Sequence, residues 1–278
     1  MKLTLAISTC PNDTFVFDAL VHHKIDTEGL TFDLHLADVE ELNKLALEAS
    51  VDITKLSYHA YAYVAKDYLI LSSGGALGRG NGPLFVSKKK IYPDEVGDIT
   101  VAIPGKRTTA AMLLRLAFPS VKRAREYLFS DIESAILDNE ADAGVLIHEG
   151  RFTYRKKGLR PIADLGEWWE NESNQPIPLG NIAIKRGIPS DVRAKFDRVL
   201  RRSVEFALNN PKESSEFVRR YAREMDEDVM RKHIALFVNQ STVDLGDEGR
   251  KAVQVFFDAA REINAIPELP EQIFNFDR

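Results

Sequence analysis

His148 has the clearest chemical use in this sequence. It directly follows the apolar stretch Ala143–Ile147 and precedes Glu149-Gly150, so its ring belongs at a strand end, facing whatever opening lies beyond. An imidazole with its ordinary pKa of about 6.5 can accept a proton near neutral pH. The same placement also fits a structural histidine. Three further runs have usable chemistry: Lys55-Leu56-Ser57, Gly105-Lys106-Arg107-Thr108-Thr109-Ala110, and Asn12-Asp13 within the turn Ser8–Thr14. Each lies where a strand gives way to a helix, and a helix amino terminus offers free N–H groups and partial positive charge to an anion. Each also has a plain structural reading. Ser57 can cap the helix 58–66, and Asn12 and Asp13 can form an Asx turn.

Other signals exclude chemistry. The run 105–109 lacks the GxxxxGK[ST] spacing of a phosphate loop, and no GxGxxG fingerprint or GxSxG elbow occurs. No His, Glu and Asp set has metal-ligand spacing. His22 and His23 are adjacent and cannot share a helix face, while His35 and His233 sit in patterns that read as solvated surface. Gly74–Gly80 is glycine-rich but does not join a strand to a helix, so it reads as a flexible connection. Trp168 and Trp169 read as packing residues, with a flat wall for an aromatic ligand as the alternative.

The elements that position these residues come from a weak internal duplication. Leu3-Thr4-Leu5-Ala6-Ile7 recurs as Ile99-Thr100-Val101-Ala102-Ile103, each a strand followed by a polar turn and a helical pattern. The amphipathic stretch Glu40–Ser50 leads into the strand 52–56, and 132–140 leads likewise into 142–147. Two matches in the same order predict two α/β domains of related topology. Gly82–Lys89 and Pro178–Arg186 then read as crossover strands, which divides the chain into a large domain of residues 1–86 and 184–278 and a small one of 87–183. Helical patterns over 190–264, broken at Asn210-Pro211, complete the large domain. Open α/β sheets bind ligands beyond the carboxyl ends of their strands. Two of them joined twice therefore predict a cleft that closes on a small anionic molecule.

Composition limits the partners. Lys and Arg total 37 against 42 Asp and Glu, a net charge of −5, which argues against a nucleic-acid binder held by a general basic field. No apolar run reaches the ~18 residues a membrane span needs. The single cysteine, Cys10, leaves no intrachain disulfide and fits a reducing compartment. The start MKLTLAISTCPND reads as a first strand and turn rather than an export signal, so a cytoplasmic location is expected. Oligomeric state is not encoded in any of these patterns.

As a set, Ser8–Phe15, Lys55–Tyr58, Gly105–Ala110, Ile147–Gly150 and Asp164–Trp169 resemble the 1,4-dihydroxy-6-naphthoate synthases of the futalosine route to menaquinone, and the likeness extends over essentially the whole chain. The resemblance implies a type-II periplasmic-binding-protein-like fold used for catalysis. It implies cleavage of cyclic dehypoxanthine futalosine to 1,4-dihydroxy-6-naphthoate with loss of the sugar-derived fragment as dihydroxyacetone, without metal or redox cofactor. His148 matches the family's proton-accepting histidine; Lys55, Leu56, Ser57, Thr109 and Ala110 match substrate-contacting segments, and Asn12 and Asp13 accompany them. Two alternatives remain open at this point: chorismate dehydratase, which shares the fold, and a non-catalytic solute-binding protein for a small carboxylate.

Overall fold

The computed structural model describes residues 1–222 and 226–276. The chain begins with β1 (Lys2–Ser8), α1 (Pro11–Val21), β2 (Thr31–Ala37), α2 (Val39–Leu47), β3 (Ile53–Ser57), α3 (Tyr58–Val64), β4 (Tyr68–Ile70) and β5 (Ala76–Gly78). It continues through β6 (Leu84–Ser87), β7 (Thr100–Ile103), α4 (Thr109–Ala117), β8 (Arg123–Glu126), α5 (Ile132–Leu137), β9 (Ala143–Leu146), α6 (Gly150–Thr153), β10 (Arg160–Asp164) and α7 (Leu165–Ser173). Last come β11 (Ile177–Lys185), α8 (Ser190–Asn209), α9 (Ser215–Tyr221), α10 (Glu227–Phe237), α11 (Gln240–Val243) and α12 (Gly246–Glu262).

The strands form two sheets. The first has the order β2-β1-β3-β11-β4 with β5 also on β11, and the second has β10-β6-β9-β7-β8. In the first, β1 lies parallel to both β2 and β3, and β11 runs antiparallel against β3. In the second, β7 lies parallel to both β8 and β9, and β6 runs antiparallel against β9. The duplication is therefore a repeat of topology: β1-α1-β2-α2-β3 corresponds to β7-α4-β8-α5-β9. Central strands such as β3 and β9 are buried along their whole length, as expected where both faces of a parallel sheet are covered.

The antiparallel strands are exchanged between the repeats. β6 follows the first repeat but pairs in the second sheet, and β11 follows the second repeat but pairs in the first. The chain thus leaves the first sheet after Gly78 and re-enters it at Ile177, earlier than the expected divisions at 86/87 and 183/184. A turn, a short apolar strand and a basic end do not encode which sheet will accept the strand. The stretch Gly74–Gly80 is likewise more ordered than expected, because β5 within it pairs with β11.

Helix starts follow local chemistry. Asp38 accepts from the N–H groups of Glu40 and Glu41 at α2, Thr108 from Ala111 at α4, and Asp164 from Gly166 and Glu167 at α7. α1 instead begins with Pro11 at its first position, where the missing N–H costs nothing. This places Asn12 and Asp13 inside the first turn of α1 rather than in an Asx turn. The helices after β11 pack on the first lobe: α8 and α9 cover α1, and Phe196, Val199, Leu200 and Val204 join its core.

The two connections between the lobes touch. A Cβ on Gly82 would come within 2.3 Å of the Gly166 Cα, and one on Gly166 within 2.8 Å of the Gly82 Cα. Arg151 ties them together, donating to the Gly82 carbonyl and, at 3.1 Å, to the Asp164 carboxylate.

Candidate functional site

The carboxyl ends of β1, β3, β7 and β9 converge on a cleft of about 730 Å³, its open mouth included. All eight residues singled out from the sequence line it: Asn12, Asp13, Lys55, Leu56, Ser57, Thr109, Ala110 and His148. The basic side chains of the run 105–109 do not. Lys106 pairs with Glu126 and Arg107 lies over the Tyr63 ring, so this run offers its backbone rather than its charge.

His148 has φ +56°, in the left-handed region that a residue with a Cβ enters at some cost. The residue is half-buried and lines the cleft. Its neighbours hold it on several sides: Cys10 Sγ lies 3.5 Å from both ring nitrogens, Phe129 meets it edge-on at 4.9 Å, and His233 stacks at 5.8 Å with 24° between planes. Burial, aided by the Lys55 charge, lowers the His148 pKa to about 4, so at neutral pH the ring is an uncharged proton acceptor. The Cys10 thiol is pushed well above its ordinary range by burial and by the Glu149 and Asp13 charges. It therefore remains an S–H, a weak donor to the imidazole rather than a nucleophile.

His233, expected on the solvated surface, is fully buried at 0% exposure. Its Nε2 donates to Asn12 Oδ1 at 3.0 Å, and Asn12 Nδ2 donates to Asp13 Oδ1 at 2.7 Å. The carboxylate can only accept, which orients the Asn12 amide and in turn places the His233 proton on Nε2. Lys55 Nζ completes the chain at 2.5 Å from Asp13 Oδ1, with side-chain exposures of 8% and 1%. Burial, together with the charge of Lys55, holds the His233 pKa well below its ordinary value and keeps the ring neutral. The signal for it was present in α10, where Met230, His233 and Phe237 share the buried face; flanking Arg231 and Lys232 obscured it.

Ser57 occupies the cap position of α3 but makes no capping bond. Its N–H donates to Asn43 Oδ1 at 3.2 Å, and its hydroxyl meets Asn43 Nδ2 only at 3.5 Å, leaving that hydroxyl free to donate into the cleft. Thr109 differs, since its hydroxyl donates to the Leu179 carbonyl at 2.7 Å. What the start of α4 offers an anion is thus the backbone N–H of Thr109 and Ala110, which precede Met112, the first residue whose N–H donates to a carbonyl of the helix start, that of Thr108. Trp168 and Trp169 do not line the cleft. Trp169 packs against Phe256 and donates to the Pro176 carbonyl.

Two α/β lobes joined twice around such a cleft define the periplasmic-binding-protein class of fold. An alkanesulfonate-binding protein of Xanthomonas axonopodis pv. citri superposes with a TM-score of 0.74 at 12% identity, covering 96% of this chain and 94% of that one. Identity that low speaks for the fold alone. Within this class the chain belongs to the menaquinone biosynthesis family, which matches residues 3–262. It is 40% identical over 272 residues to a 1,4-dihydroxy-6-naphthoate synthase of Thermus thermophilus, covering 98% of each chain. It is 38% identical to the enzyme of that name from Streptomyces coelicolor, covering 96% of this chain and 95% of that one.

Proposed function

We propose that this chain is a 1,4-dihydroxy-6-naphthoate synthase, a carbon–carbon lyase that converts cyclic dehypoxanthine futalosine to 1,4-dihydroxy-6-naphthoate and releases dihydroxyacetone, with His148 as general base. The observation that carries the reading is the neutral imidazole of His148, a half-buried residue on the cleft wall held between Cys10, Phe129 and His233. Positioned proton transfer of this kind contributes roughly 10²–10⁴-fold in rate. Cleavage that leaves an aromatic ring draws part of its driving force from that ring, so the protein supplies mainly orientation and a proton acceptor. The substrate carboxylate meets the N–H groups of Thr109 and Ala110, the Ser57 hydroxyl donates to a second acceptor, and Lys55 and Asp13 keep that wall rigid as a buried pair.

Closure of the lobes about the Gly82–Gly166 contact would exclude water during cleavage. No helix among the described residues is long and apolar enough to cross a membrane, and we place the reaction in the cytoplasm; cell fractionation tests that placement. The decisive experiment incubates the purified protein separately with cyclic dehypoxanthine futalosine and with chorismate and analyses products by mass spectrometry. Naphthoate from the first alone is expected. Product from chorismate alone would make the chain a dehydratase, and tight binding without turnover of either would make it a solute carrier.

A further inference from the structure

Asn81 lines the same cleft, from the first connection between the lobes. It is 2% exposed, and neither its Nδ2 nor its Oδ1 has a hydrogen-bond partner among the described residues. Buried amides are ordinarily satisfied, so one with both ends vacant against a cavity calls for an outside partner. Its polar neighbour Asn239 is committed elsewhere, with Nδ2 donating to the Leu77 carbonyl and Oδ1 accepting from the Ser241 N–H. The amide rests against the bare α-carbon of Gly78, where a Cβ would come within 2.6 Å of Nδ2. Its backbone is immobilised as well, because the next residue, Gly82, is pressed against Gly166 and held by Arg151 through its carbonyl.

We infer that Asn81 is a specificity residue that binds an alcohol hydroxyl of the substrate's sugar-derived part, Nδ2 donating to the hydroxyl oxygen and Oδ1 accepting its proton. A hydroxyl both gives and accepts a hydrogen bond, which matches an amide with both ends open; a carboxylate, which only accepts, would leave Oδ1 unpaired. The inference rests on the proposed activity for the identity of the substrate. It adds a division of labour in the cleft: the carboxylate goes to the start of α4 and the alcohol to the hinge.

The test compares wild type with Asn81→Leu, similar in volume but without polar atoms, and Asn81→Asp, which keeps an acceptor and loses the donor. Asn81→Leu is expected to raise KM for the cyclic substrate by roughly tenfold or more, with a much smaller change in kcat. Its Ki for 1,4-dihydroxy-6-naphthoate, which lacks the sugar-derived part, should stay near the wild-type value. Its Tm without ligand should not fall, since no internal bond is lost; Asn81→Asp should raise KM as well. An unchanged KM, a Ki that rises in step with KM, or a marked loss of Tm in Asn81→Leu would each overturn the assignment. A wild type that turns over no cyclic substrate refutes the activity instead. Asn81 is then judged by NMR of its side-chain amide: a shift on adding dihydroxyacetone supports the hydroxyl contact, and no shift overturns it.

Discussion

In the first lobe β3 runs straight into α3, whereas in the second β9 stops at the left-handed His148 before the single turn of α6. Strand register makes the comparison residue by residue. Leu5 faces Ile53 in one sheet and Val101 faces Ala143 in the other, so Lys55 corresponds to Val145 and Tyr58 to His148. Where the first lobe has a buried charge, the second has valine; where the first starts a helix with a fully buried tyrosine, the second projects an imidazole. The turns after β1 and β7 differ too. Only Thr9 and Cys10 separate β1 from α1, while Pro104–Thr108 separate β7 from α4. The short turn draws Asn12 and Asp13 into the wall, and the longer one exposes a helix amino terminus. A repeated scaffold thus supplies two equivalent openings, and the local divergence at each one sets which chemistry it holds.

Substitutions on the two sides should separate these roles. The largest effect is expected at His148: His148→Asn should lower turnover by roughly 10²–10⁴-fold while ligand affinity, measured by calorimetry, changes little. Near-normal turnover would remove His148 from the chemistry. In the first lobe, Asp13→Asn leaves Lys55 buried without its partner and should destabilise the fold by about 3–5 kcal/mol, read by urea unfolding. A small loss there would mean that the charge pair is not the frame of that wall.

Acid should act on both sides at once. Burial lowers His59 and His148 to about 4 and holds His233 well below its ordinary value too. The unfolded chain binds these protons first, so their stabilisation is complete above pH ~6.5. It is lost progressively as pH falls toward and through about 4, which thermal melts across that window should record. The acid limb of kcat/KM should likewise lie near 4 rather than 6.5, as long as the fold survives. The smallest effect sharpens the contrast between helix starts. Thr108→Ala removes a capping bond and should cost about 1 kcal/mol, while Ser57→Ala, with no such bond to lose, should cost little stability and raise KM instead.

The repeat, the cleft and the eight lining residues were legible because each lies beside a strand–helix junction, where hydrophobic periodicity changes and polar residues stand out. Residues without a local signal were not. His233 reaches the site from α10, far along the chain, and charged neighbours masked its buried face. Asn81 sits in a connection whose only sequence mark is glycine. Cys10 was informative as a lone thiol but carries no sign that it would face His148. Sheet membership of β6 and β11 was hidden for a related reason, since pairing partners distant in sequence leave no trace in the strand itself.

The exchange of β6 and β11 has a consequence for synthesis. β11 lies between β3 and β4 in the first sheet, so a nascent chain that has emerged only as far as Ser173 lacks the strand that pairs with both. The first lobe cannot complete its sheet on the ribosome ahead of the second, because the strand joining β3 to β4 is translated after the whole of its neighbour. Long-range pairing of this kind slows folding and prolongs exposure of open strand edges. The two lobes, though built alike, are matured as one unit.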